Sequence, residues 1–263
     1  MADPGWTRLA TKLGELESVG LDALEQSVSM TRRFDDKFLL DLDAVEHLLA
    51  SLGPTWSVLE VDGRRLTRYH TTYFDTPELG CYRDHLQGRR RRYKVRTRRY
   101  DVDGPTMLEV KLKGAAGRTE KARWSYSSSV PERLDEPGLA LVDGALREAY
   151  GRPVAEPLVR SVATTFDRVN LVDVERQERI TIDVGFTASA HDQVSRFDDR
   201  RAIVEIKAPV RASDAFRRMM HLGHRPMAVS KYCLGVVTLH PEIRGNPWLP
   251  TVRSMAPEVG PVR

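Results

Sequence analysis

Polar and apolar positions alternate along much of this chain, and that alternation predicts strands. The clearest case is Met107 to Lys113, where Leu108, Val110 and Leu112 share one face and Glu109, Lys111 and Lys113 share the other. Glu178 to Gly185 sets Ile180, Ile182 and Val184 against Arg179, Thr181 and Asp183; Arg201 to Lys207 sets Ala202, Val204 and Ile206 against Ile203, Glu205 and Lys207. Further strands are expected over Arg32 to Leu40, with Arg33, Asp35 and Lys37 together, and over Leu66 to Tyr73, with Arg68 and His70 together. Glu120 to Tyr126 pairs Lys121 with Arg123 on one face, and Val159 to Leu171 brings Arg160, Thr164 and Arg168 in a strand-like context. Phe74-Asp75-Thr76-Pro77 and Asp101 to Pro105 read as turns.

Helical spacing appears between these segments. Asp43 to Leu52 carries an apolar stripe of Val45, Leu48 and Leu49, a capping-box-like start at Asp43 and Glu46, and a stop at Gly53-Pro54. Leu139 to Tyr150 reads as a helix closed by Gly151. Ser213 is placed to cap Asp214 to Leu222, which Gly223 ends, and Ser230 to cap a helix starting at Lys231. Residues 1–29 hold leucines at loose helical spacing and are expected to form a helical arm; residues 241–263 hold several prolines and are expected to be irregular. The segment 30–240 between them is one domain, since no linker or repeat divides it.

The stretch Gly88 to Tyr100, GRRRRYKVRTRRY, gives this pattern its chemistry. Taken as a strand, it places Arg90, Arg92, Lys94, Arg96 and Arg98 on one face, and each adjacent same-face pair repels by about 2 kcal/mol at an effective dielectric near 20. On this stretch alone, a solvated edge strand guarded by basic residues competes with an anion-binding strand. Two further strands repeat the basic face, which favours an anion. The net charge of +4, from 41 basic and 37 acidic residues, conceals that segregation. A hydrophobic share of 41% with 30% charged residues describes a soluble globular chain. Cys81 and Cys233 suit packing in a reducing compartment, and neither a signal peptide nor a membrane-spanning segment is visible, so a cytoplasmic location is expected. Loops of the P-loop and dinucleotide-binding types are absent, as are H-E-x-x-H and paired C-x-x-C elements.

Strands with one charged and one apolar face predict an α+β fold: a closed eight-stranded antiparallel barrel with a charged lumen and helices packed outside. A lumen lined with Lys and Arg is prohibitive unless an anion and water share it, and a polyphosphate has a suitable shape and charge. Glu109, Asp183 and Glu205 then stand out as candidates for holding a divalent cation against the phosphates. A nucleic-acid partner is not expected, because the charge is spread over several strands instead of forming one exposed surface.

The ordered set Arg33…Lys37, Tyr73-Phe74-Asp75-Thr76, Lys94-Val95-Arg96-Thr97-Arg98, Glu109-Val110-Lys111-Leu112-Lys113, Arg179-Ile180-Thr181-Ile182-Asp183, Glu205-Ile206-Lys207 and Ser230-Lys231-Tyr232 resembles the VTC domain. VTC domains are the polyphosphate polymerases of the triphosphate tunnel metalloenzyme superfamily. The resemblance runs from about Arg32 to about Leu239. It implies an eight-stranded tunnel, a divalent metal, typically manganese with magnesium as the alternative, and transfer of the ATP γ-phosphate to growing polyphosphate with release of ADP. It also implies that Lys37, Arg96, Arg98, Lys111 and Arg179 act directly on the reacting phosphates. Lys94, Lys113, Lys121, Arg123, Arg168, Lys207, Lys231 and Tyr73 would hold substrate or product, with Lys231 at the tunnel end. Glu205 would be the metal ligand and Glu109 a weaker candidate. The superfamily's hydrolytic branch opens with Glu-x-Glu-x-Lys, whereas Arg33-Phe34-Asp35-Asp36-Lys37 lacks the first acid, which favours the polymerase branch. Alternatives are a triphosphatase on the same fold and a non-catalytic polyphosphate or nucleic-acid binding module.

Overall fold

A computed structural model describes residues 4–22, 34–101, 104–114, 119–127 and 133–262 of the 263-residue chain. Its frame is a continuous antiparallel sheet of eight strands. In spatial order these are β2 (Phe34–Asp41), β11 (Arg201–Ala208), β9 (Glu178–Ala190), β8 (Val159–Asp173), β4 (Thr67–Asp75), β5 (Tyr93–Tyr100), β6 (Thr106–Lys113) and β7 (Thr119–Ser125). Short strands extend it: β1 (Glu17–Val19) on β3 (Trp56–Leu59), β3 on β8, and β10 (Gln193–Arg196) between β9 and β12 (Glu258–Pro261).

The alternation expected of β6 is observed, with Leu108, Val110 and Leu112 buried and Lys111 exposed on the opposite face. On the convex side the apolar faces are covered by helices, each buried Leu or Ile contributing about 1.5–3 kcal/mol. Val169, Leu171, Ile180, Ile182, Val204 and Ile206 pack under α1 (Pro4–Glu15), α2 (Leu42–Ser51) and α5 (Asp214–His221). Val95, Leu108, Val110 and Leu112 pack under α4 (Glu136–Tyr150), whose Tyr150 hydroxyl donates to the carbonyls of Arg92 and Lys113 at 2.8 and 3.1 Å.

The structure corrects the closed barrel. The sheet curls, since Lys111 on β6 lies within electrostatic reach of Lys37 on β2 and Glu205 on β11. Yet among the described residues no backbone pairing joins β7 to β2. Both facing strands are charged, with Glu120, Lys121 and Arg123 on β7 and Asp35, Asp36 and Lys37 on β2, and charged edges resist pairing.

The helices are not all outside either. Helix α6 (Lys231–Leu239) lies against the concave face, in an apolar cluster with Tyr69, Tyr73, Val162, Phe166 and Ile203. Gly235 permits that approach: a Cβ there would stand 2.7 Å from Val162 Cγ1 and 3.1 Å from Ala188 Cβ.

Smaller differences have local causes. The cap of α2 is Asp41, which accepts from Ala44 N at 2.8 Å, so Asp43 belongs to the first turn instead of the cap. β4 continues through Phe74 and Asp75, where a turn was expected. Helix α3 (Gly80–Leu86) was not anticipated, having no apolar stripe long enough to signal it. Helix α1 is integrated through the buried Leu9 and Leu13. The C-terminal segment is not irregular, since it forms α7 (Leu249–Met255) and β12. The strand expected over Gly88 to Tyr100 begins only at Tyr93, leaving Arg89 to Arg92 outside it. Arg33 lies outside the described residues.

Candidate functional site

Cross-strand register carries the polar face from strand to strand. Lys37 stands opposite Glu205, Glu205 opposite Thr181, Thr181 opposite Asn170, and Arg168 opposite Asp183. Across the sheet, Tyr73 pairs with Arg96, Arg96 with Glu109, Glu109 with Arg123, Lys94 with Lys111 and Lys111 with Lys121. Directly opposed residues share a face. The concave side therefore gathers the residues singled out from the sequence.

Two buried carboxylates, Glu109 and Asp183, and the partly buried Glu205 divide these cations into groups. Glu205 is held by Lys37 at 2.8 Å on one oxygen and by Lys207 on the other. Burial works against its charge, but Lys207 and Lys37 outweigh it and hold the carboxyl well below its usual range. Glu109, 1% exposed, is met by Arg96 at 2.7 Å, Lys121 at 2.5 Å, and Arg98 and Arg123 both at 3.8 Å. Asp183, also 1% exposed, takes both prongs of the Arg168 guanidinium at 2.5 and 2.7 Å and bonds Lys231; against burial these hold it at about 2. Lys231 Nζ also sits 4.4 Å from the Phe166 ring centroid.

The remaining predicted residues take neighbouring places. Lys94 donates to Ser230 Oγ at 2.9 Å, Arg179 to Asn170 Oδ1 at 2.5 Å, and Arg96 to the Tyr73 hydroxyl at 3.4 Å. Burial raises the Tyr73 phenol, but Arg96, Arg98 and Lys94 outweigh it and lower its pKa. Lys113 bonds Thr119 at 3.3 Å at the end of β6, so it stands at the rim. The Lys111 side chain has no hydrogen bond or ion pair among the described residues. Although solvent reaches it, it stands in a crowded hollow where burial and the charges of Lys37, Lys94 and Arg96 lower it to about 8, against the opposing pull of Glu205. Lys207 and Lys121 are also lowered to about 8, chiefly by burial, despite their carboxylate partners.

Sequence reasoning missed Asn170, Tyr69, Thr71 and Tyr100 as parts of this face. The Arg168 guanidinium carbon lies 4.9 Å from the Tyr69 ring centroid, and Arg123 donates to the Tyr100 hydroxyl at 3.1 Å. Tyr69 and Thr71 share the parity of Tyr73, a signal available in the alternation. Asp75 was read as a turn residue and as part of the Tyr73-Phe74-Asp75-Thr76 motif with no role assigned; it is fully buried and accepts from the amides of Thr76, Cys81 and Tyr82 and from the Tyr232 hydroxyl. His70, expected to be hydrogen-bonded or at the surface, is half-buried, and its Nε2 has no hydrogen-bond partner among the described residues.

The described residues contain no cluster of three or more His, Cys, Asp and Glu able to hold a metal ion. The donor set fits a hard cation that takes one carboxylate and completes its shell with phosphate oxygens and water. Glu109 and Asp183 are enclosed by cations. Glu205 is 15% exposed, its partners are two lysines, and the buried hydroxyl of Thr181 opposite it has no hydrogen-bond partner among the described residues.

A VTC domain family model matches residues 32–240, most of the chain and all of the face just described. The chain belongs to the VTC domain family. No curated protein matches it in sequence. Among solved structures this VTC domain is similar to a proposed adenylate cyclase from Bacillus halodurans, at 14% identity and a TM-score of 0.47, covering 74% of this chain and 92% of that one. It is also similar to HpAC1 from Hippeastrum, a proposed adenylyl cyclase described as having a dominant triphosphatase activity, at 15% identity and 0.47, covering 78% and 95%. A third is the PH1819 protein of Pyrococcus horikoshii, at 12% identity and 0.45, covering 80% and 99%. Likeness at that level does not define the chemistry of this VTC domain. No helix among the described residues is long and apolar enough to cross a membrane.

Proposed function

We propose that this VTC domain is a polyphosphate polymerase that transfers the γ-phosphate of ATP to the end of a growing polyphosphate chain and releases ADP, with a divalent cation, manganese or magnesium. The observation that carries this reading is the concave face itself: cations from seven of the eight strands of the curved sheet, all but β4, with Glu205 as a partly exposed carboxylate among them. Phosphoryl transfer depends on positioning and charge neutralisation, so a face with no protein nucleophile is suited to it. A terminal oxygen of the chain attacks the γ-phosphorus, and the bridging oxygen to the β-phosphate leaves with ADP.

Arg96 and Arg98, fixed by Glu109, and Arg168, fixed by Asp183, present guanidinium groups that suit phosphate oxygens. Lys37, Lys111, Lys207 and Arg179 surround the Glu205 end of the face, and Lys94, Lys121, Arg123, Lys231 and Tyr73 line the rest. Lys113 at the rim suits the incoming or outgoing chain. Glu205 would hold the cation, which would supply neutralisation of the charge developing on the transferred phosphoryl group, and Glu109 serves as the counter-ion that orients arginines.

Purified protein incubated with ATP and manganese, its products resolved by chain length with ADP and free phosphate quantified, tests this reading. Chains accompanied by one ADP for each phosphate incorporated are expected. Free phosphate without chains would replace the polymerase with a triphosphatase, and intact ATP would leave a binding module.

A further inference from the structure

The arginine run that dominates the sequence is not part of the concave face. Arg89, Arg90 and Arg91 are exposed and precede β5, so the lumen does not account for them. Edge protection does not account for them either, because β5 is paired on both sides, with β4 and β6. The run is nevertheless built into the fold. Gly88, at φ +65°, turns the chain after α3, and the amides of Gly88 and Arg89 bond the carbonyls of His85 and Asp84 at 3.2 and 2.9 Å. The Arg89 side chain is engaged by Gln87 at 2.8 Å and Asp84 at 3.2 Å, and Arg92 donates to the Arg89 carbonyl at 2.6 Å. Arg90 and Arg91 are left pointing at solvent with no hydrogen bond or ion pair among the described residues.

We propose that Arg90 and Arg91, continued by Arg92, form a surface track that binds the polyphosphate chain outside the lumen; this rests on the phosphate-chain reading above. The track joins the lumen without a break. The Lys113 amide bonds the Arg92 carbonyl at 2.9 Å, which sets Arg92 beside the rim lysine, two residues from Lys111. Lys94, two residues after Arg92, reaches Ser230 inside. Arg90 to Lys94 spans at most about 14 Å of extended chain. Arg152 stands within electrostatic reach of Asp84 and Tyr150 and adds charge there, while the nearby Asp84 is already engaged by Arg89. A triphosphate is too short to fill the lumen and also cover this surface. A long chain of repeated charges does both. Single-stranded nucleic acid fits less well, because its recognition uses aromatic platforms and Arg89 to Arg92 offers none; Tyr93, next in sequence, packs against the convex core.

The test is the double variant R90A/R91A, with binding of long-chain inorganic polyphosphate and of tripolyphosphate each measured over a range of salt. Long-chain affinity is expected to fall about tenfold and its log–log salt slope to shrink by about 1 to 1.5, the value for two lost contacts to a flexible polyanion. Tripolyphosphate affinity is expected to stay at the parent value, which also reports an intact fold, and R90K/R91K is expected to restore long-chain binding. Equal losses for both ligands, or unchanged long-chain binding, would overturn the track while leaving the lumen reading in place. Failure of the parent protein to bind either phosphate would sink the lumen reading and the track with it. An oligodeoxythymidylate that outcompetes polyphosphate on the parent, and loses more affinity in the variant, would assign the run to nucleic acid and overturn the proposal.

Discussion

Lys37 and Lys207 each occupy one oxygen of Glu205, so the carboxylate is charged, oriented and held by groups that can move when a cation and phosphate arrive. Glu205→Ala is accordingly expected to cut polymer formation by at least about 100-fold, the scale of losing one preorganised electrostatic group. Tripolyphosphate binding should persist, because the variant frees two lysines. Turnover equal to the parent's would remove Glu205 from the chemistry. The three lysines lowered to about 8 give a second prediction. Their charged forms attract the anion, and their depressed pKa values move the loss of charge from above pH 10 to near pH 8. Affinity for sulfate, which does not itself titrate there, should be flat below about pH 7 and weaken about tenfold by about pH 9. Lys111→Met should flatten part of that decline, and an affinity unchanged up to pH 10 would refute the crowding of these lysines.

Asp75 shows why some elements were legible in the sequence and others were not. The strands bearing Glu109, Lys111, Arg179, Glu205 and Lys207 announce themselves because alternation is a local property, and so do the caps at Ser213 and Ser230. The apolar pattern also shows that Leu108 and Ile182 must be covered. It does not show which side α6 takes, since that depends on a close contact at Gly235 with residues more than 40 positions away in sequence. The short strands β1, β3, β10 and β12 carry too few residues to show a period. Four consecutive arginines obscured where β5 begins, because charge alone does not distinguish a strand from the loop that precedes it. Asp75 looked like a turn residue, yet it ties β4 to α3 through the amides of Cys81 and Tyr82 and to α6 through Tyr232, the neighbour of Lys231, while also accepting from the amide of Thr76. Asp75→Asn leaves one acceptor oxygen where the carboxylate offered two. Loss of one charge-assisted bond should lower stability by about 1.5–3 kcal/mol, read by denaturant unfolding. If α6 depends on this tie, Asp75→Asn should also weaken tripolyphosphate binding through displaced Lys231 and Ser230. Full stability would show that the network is dispensable.

Across the whole molecule, the curled sheet concentrates more positive charge on its concave face than Asp35, Glu109, Asp183 and Glu205 offset, and its two charged edges, β7 and β2, are not paired with each other among the described residues. The free protein therefore carries an internal repulsion that a bound polyanion relieves, and the ligand bridges strands that backbone hydrogen bonds do not join. Tripolyphosphate at 100 times its dissociation constant stabilises by about 2.7 kcal/mol through mass action alone. For a chain of this size that corresponds to a rise in Tm of about 5–10 °C. Sodium chloride at matching ionic strength should give a smaller rise, because screening weakens repulsion without linking β6 to β2 and β11. Hydrogen exchange should slow most in β7 and β2, the two edge strands of the eight-stranded sheet. Equal Tm shifts with chloride, or protection confined to the centre of the sheet, would mean that the anion only screens charge and does not hold the two edges together.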